Sequence, residues 1–123
     1  MPNVNFQNWL AGIIASETPD ESIVAYYFGI FEGETHYTIY LTGSSVYDAS
    51  DSDWACSNDF EPKEKYFVLP SDFNHLTWDE VLKKVENSLK DFVSSTLYKN
   101  SFFSRAKVIA TGFDDGDLIE IHS

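Results

Sequence analysis

Apolar residues recur along this chain at two different spacings, and the change from one to the other marks out its elements. Between residues 3 and 16, Phe6, Trp9, Leu10, Ile13 and Ile14 fall at i, i+3, i+4, i+7 and i+8, one face of a helix that Asn3 is placed to cap. Glu17-Thr18-Pro19-Asp20-Glu21 brings a proline and three acids and ends it. From Ser22 to Phe31 the chain is β-branched and aromatic, with Ile23, Ala25, Tyr27 and Phe31 at one parity and Val24, Tyr26, Phe28 and Ile30 at the other. A strand apolar at both parities is one covered on both faces, hence central. After the turn signal Glu32-Gly33-Glu34, residues 35–42 alternate, Tyr37, Ile39 and Leu41 against His36, Thr38, Tyr40 and Thr42. The two runs predict an antiparallel hairpin in which Tyr37 and Tyr40 take opposite faces, so that at most one of them is core.

Residues 43–65 are polar and acidic, with Trp54, Ala55 and Cys56 embedded in them. A loop of that length in a small domain is more often functional than idle. Tyr66–Leu69 reads as a short strand stopped by Pro70. Thr77-x-x-Glu80 is a capping box, and Trp78, Val81, Leu82, Val85, Leu89, Phe92 and Val93 trace an apolar stripe, predicting a helix to about Tyr98. Residues 107–113 and 118–121 read as two strands joined by Asp114-Asp115-Gly116-Asp117, where Asp-Gly suits a tight turn. The expected class is α+β: one domain over 1–123, an antiparallel sheet of four to six strands with the two main helices on one face.

Charge changes the picture most. The chain carries 20 Asp and Glu against 8 Lys and Arg, a formal net charge of -12. Residues 1–62 hold ten of the acids and no base, whereas 63–123 hold the other ten acids and all eight bases, so the halves carry -10 and -2. This field repels phosphate, which excludes nucleic-acid binding through counterion release and argues against an anionic membrane surface. Disorder is contradicted by 43% hydrophobic and 16% aromatic content. One cysteine, no basic stretch at the N-terminus and no apolar run near the ~18 residues that span a bilayer lead to the expectation of a cytoplasmic protein without an intramolecular disulfide.

Candidate chemistry is sparse. Asp48, Asp51 and Asp53 lie within six residues, close enough to share a hard cation, but Trp54 follows where a calcium loop needs glycine and no glutamate stands at the required offset. Asp114, Asp115 and Asp117 form a second carboxylate group, best read as turn chemistry. Cys56 with His36, His75 or His122 is the one route to a thiolate nucleophile, and its acidic surroundings raise a thiol pKa. No phosphate loop, nucleophile elbow or zinc-ligand set is present, so no catalytic residue, metal or cofactor is assigned. Trp54, ringed by acids, fits either an interface anchor with a polar rim or a pin beneath its own loop.

Thr38-Ile39-Tyr40-Leu41-Thr42-Gly43-Ser44, Asp51-Ser52-Asp53-Trp54-Ala55-Cys56 and Gly112-Phe113-Asp114-Asp115-Gly116-Asp117-Leu118 together resemble small acidic bacterial immunity proteins of polymorphic or contact-dependent growth inhibition toxin systems. The resemblance spans residues 38–118. It implies a non-enzymatic monomer or homodimer that binds and blocks one cognate toxin domain. Nuclease toxins expose basic clefts, to which a one-sided anionic inhibitor is complementary. On this reading Asp48, Asp51, Asp53, Trp54, Asp59 and Glu61 are the expected partner-binding residues. Two other readings stay open: an acidic adaptor module with no toxin, and a metal-dependent hydrolase built from the two carboxylate groups.

Overall fold

The computed structural model describes residues 2–48, 50, 54–55, 58–69, 71–113 and 118–122. Its elements are α1 (Pro2–Ser16), β1 (Ala25–Glu32), β2 (Tyr37–Ser44), β3 (Tyr66–Val68), α2 (Trp78–Val93), α3 (Thr96–Lys99), β4 (Val108–Phe113) and β5 (Ile119–His122), with single 3-10 segments at Ser71–His75 and Phe102–Arg105. The class is α+β, around one five-stranded sheet of order β3-β2-β1-β4-β5. No helix among the described residues is long and apolar enough to cross a membrane.

The hairpin forms as its alternation predicts, with Phe28 opposite Leu41 and Gly29 opposite Tyr40, and a Gly33 N–H to His36 carbonyl bond of 2.8 Å closing its turn. One pairing departs from the expected antiparallel sheet: β1 and β4 run parallel, Ala25 beside Val108 through Ile30 beside Phe113. Parallel neighbours need a long crossover. The segment from Leu69 to Lys107 supplies it, carrying α2 across from the β3 edge to the far side of β1.

Both main helices pack on one face. Phe6, Leu10 and Ile13 of α1 and Val81, Val85, Leu89 and Phe92 of α2 share a buried cluster with Tyr26, Phe28 and Ile30 of β1, Ile39 and Leu41 of β2 and Ile109 of β4. Fully burying each of these larger side chains stabilises the fold by about 1.5–3 kcal/mol. Trp9 of α1 stacks on Phe67 of β3 at 5.5 Å between ring centroids and meets Phe28 edge-on at 6.3 Å, which fixes α1 over the β3–β2–β1 part of the sheet.

Two helix boundaries differ from the reading of the pattern. α1 begins at Pro2, so Asn3 lies inside the helix and not at its cap; proline is well placed in a first turn, where its missing N–H costs nothing. α2 ends at Val93 and not near Tyr98. The Ser95 hydroxyl donates to the Phe92 carbonyl at 2.5 Å and accepts from the Tyr98 N–H at 3.2 Å, which closes one helix and caps the next, α3. The Thr77 start holds: its N–H donates to the Glu80 carboxylate at 2.9 Å.

Candidate functional site

The helices leave the opposite face of the sheet to be covered by something else. Ala25 and Tyr27 of β1 and Val108 and Ala110 of β4 are buried there under Trp54, with Tyr47, Tyr40, Ala55 and Leu118 around them. Tyr47, Trp54 and Ala55 thus cover one half of this face. Trp54 is 4% exposed and meets the Tyr47 ring at 5.5 Å, edge-on. Of the two positions open to it, it occupies the buried one, against the sheet. It is a core residue of the second layer, not a side chain presented to solvent. Tyr47 fixes the loop to the sheet edge by donating from its hydroxyl to Glu120 of β5 at 2.7 Å, a bond that, with the neighbouring carboxylates, raises the phenol pKa.

The carboxylates of the loop are separate and locally engaged. Asp48 accepts from the Ser50 N–H and hydroxyl at 2.9 and 2.7 Å. Asp59 accepts from the Ser45 N–H and hydroxyl at 2.8 and 2.9 Å. These bonds favour the ionised form and hold both acids below the ordinary aspartate range. Glu61 pairs with Lys65. Asp51, Asp53 and Cys56, and with them the turn acids Asp114, Asp115 and Asp117, lie outside the described residues. Among the described residues no three His, Cys, Asp or Glu side chains come together to hold a metal ion.

The other half of the same face is open. Phe31 at the end of β1, Tyr40 of β2, and Tyr66 and Val68 of β3 all point to this side, because Tyr66 pairs with Tyr40 and Val68 with Thr38. Tyr66 and Val68 are 56% and 55% exposed. The rings are ordered against one another: Phe31 lies 6.1 Å from Tyr40 and 6.3 Å, edge-on, from Tyr66. Lys65 lies across them, its Nζ 5.8 Å from the Tyr40 centroid and 5.5 Å from that of Tyr66, while it pairs with Glu61. The Glu61 bond raises the lysine pKa. Glu32 and Glu34, both exposed, follow Phe31 at the hairpin turn.

The segment that carries Lys65 into β3 is anchored from three directions. Trp9 Nε1 donates to the Glu64 carbonyl at 2.6 Å, the Lys63 N–H donates to the Glu17 carboxylate at 2.8 Å, and the Leu41 N–H donates to the Lys65 carbonyl at 3.1 Å. Upstream, Gly43 and Phe60 form an isolated bridge with N–H to carbonyl bonds of 2.9 and 3.1 Å. The aromatic group therefore stands on ordered backbone. Pattern reading found Asp48, Asp59 and Glu61 as surface acids but missed Phe31, Tyr66 and Val68. The signal available was the parity of Tyr66 and Val68 in an edge strand, which becomes informative only when register with Tyr40 is known.

Compared with family models, with curated proteins and with solved structures, the chain matches none.

Proposed function

We propose that this protein is a non-catalytic binding protein that captures one basic protein partner and blocks it, as an immunity protein blocks its cognate toxin domain. The observation that carries the reading is the meeting of two features on one side of the molecule. One is a partly exposed apolar patch on the sheet, in which Tyr66 and Val68 are exposed and Phe31 and Tyr40 half-buried; the other is the Glu61 carboxylate, paired with the Lys65 that lies over the Tyr40 and Tyr66 rings. Protein interfaces concentrate binding energy in tyrosine and other aromatic anchors and surround them with a polar rim. Phe31, Tyr40 and Glu61 belong to residues 1–62, which carry ten acids and no lysine or arginine. A field of one sign speeds encounter with a partner of the other and repels polyanions.

A basic nuclease-type toxin domain is the partner that the resemblance of residues 38–118 to immunity proteins favours. The test is co-expression with the product of the adjacent upstream reading frame. Rescue of growth by this chain alone, with a stoichiometric complex recovered from the cells, is the expected result. A complex without toxicity to relieve would favour the adaptor reading instead. Turnover of a substrate by the purified chain with added Mg²⁺ or Mn²⁺ would favour the hydrolase.

A further inference from the structure

We propose that Phe31, Tyr40 and Tyr66, with Glu61, form a receptor for one cationic side chain of the basic partner, a guanidinium before an ammonium, and that Lys65 holds the place until the partner displaces it. The proposal rests on the partner being basic and names where it docks. Three rings are set at 6.1 and 6.3 Å from one another through Phe31, and a positive nitrogen already lies over two of them at 5.8 and 5.5 Å. That is the range in which ring quadrupoles attract cations. The carboxylate that completes the pocket, Glu61, neutralises the same nitrogen.

The internal lysine is a replaceable occupant. Its side chain and that of Glu61 are 22% and 43% exposed, so an incoming group reaches both. Exposed lysine–glutamate pairs contribute little. A guanidinium stacks on aromatic faces better than an ammonium and meets a carboxylate through two N–H donors, so an arginine has the advantage on both contacts. A second copy of this chain is the poorer occupant of the face, because each copy carries -12.

The experiment is a two-dimensional NMR titration of the whole protein with a blocked pentapeptide, acetyl-Gly-Arg-Val-Arg-Gly-amide, against the same peptide with citrulline in place of arginine. The arginine peptide is expected to move the aromatic signals of Phe31, Tyr40 and Tyr66 and the Lys65 side chain saturably, and the neutral peptide is expected not to. Lys65→Ala, by emptying the pocket, should tighten binding at least about threefold, whereas Tyr66→Ala should weaken it about fivefold or more. Tyr66 is exposed, so its replacement leaves the fold intact, which the backbone spectrum verifies. Shifts that follow Asp48 and Asp59 instead, indifference to Tyr66→Ala, or weaker binding in Lys65→Ala would each overturn the proposal. Should the peptide bind as expected while co-expression gives no rescue, the pocket stands and the toxin reading falls.

Discussion

Tyr40 lies flat across Gly29 on the neighbouring strand, so close that a β-carbon on Gly29 would stand 2.1 Å from the ring Cζ and 2.4 Å from the hydroxyl oxygen. The glycine is there to make room; none of the described glycines has a positive φ. On its other side Gly29 pairs with Gly112, whose carbonyl accepts the Tyr27 hydroxyl at 3.1 Å. The bare backbone at the middle of the helix-free face thus seats the ring that divides the covered half from the open half.

Gly29→Ala is therefore expected to cost about 1–3 kcal/mol by overpacking, read from urea unfolding. In a Tyr40→Ala background the ring is gone, and the same substitution should become nearly neutral, since alanine suits a strand no worse than glycine. An equal cost in both backgrounds would mean that the glycine serves some contact other than Tyr40.

Trp54 and Trp78 make a matched pair of opposite environments, 4% and 63% exposed. Trp54→Ala should destabilise by about 3 kcal/mol or more, as truncations of buried aromatics do. Trp78→Ala gives up an edge contact with Phe113 at 6.2 Å and should stay within about 1 kcal/mol. Thermal melts of the two variants decide it. If Trp54→Ala proves harmless, the loop is not packed onto Ala25, Tyr27, Val108 and Ala110 as the fold has it.

These two side chains also show where the sequence was legible and where it stopped being so. Spacing reveals which positions are apolar, and for Phe6, Leu10 and Ile13 or Val81, Val85 and Leu89 that is enough, because a helix stripe has one place to go. Trp54 stands in a polar, acidic segment with no period, so its fate depends on whether the loop folds back, a tertiary fact. Phe31 is the reverse case: it belongs to a strand apolar at both parities, and Tyr47, Trp54 and Ala55 pack over Ala25 and Tyr27 at the other end of it. The parallel pairing of β1 with β4 was equally out of reach, since pattern specifies strands and faces but not which strand a crossover returns beside.

The Asp59–Ser45 contact carries a pH signature. Two hydrogen bonds from Ser45 lower the Asp59 pKa in the folded protein. A depressed acid pKa means that its contribution to stability is present above the unfolded-state value and is lost as pH falls through the folded one. Asp59 is on the surface, so the effect on stability is small and the direct measurement is a carboxyl ¹³C titration. The Asp59 midpoint should lie below the ordinary aspartate range and return toward it in Ser45→Ala. An unmoved midpoint would show that the bonds are not kept in solution.

Steering and anchoring are separable in the proposed complex because they act on different rate constants. Charges on the acidic loop act at a distance, before contact, and need no particular geometry; Asp51 and Asp53 contribute to the field simply by their sign. Reversing both to lysine should slow association with the toxin domain by at least about tenfold at low ionic strength, with a gap that narrows as salt shortens the screening length below ~10 Å. Tyr66 acts only after contact, so Tyr66→Ala should leave the association rate nearly unchanged and accelerate dissociation about tenfold or more, as loss of an interface anchor does. Stopped-flow association and chase experiments at two salt concentrations measure both. A loop reversal that leaves the association rate unmoved would remove the 43–62 segment from the path of encounter, and a Tyr66→Ala variant that dissociates at the wild-type rate would remove the open sheet face from the complex.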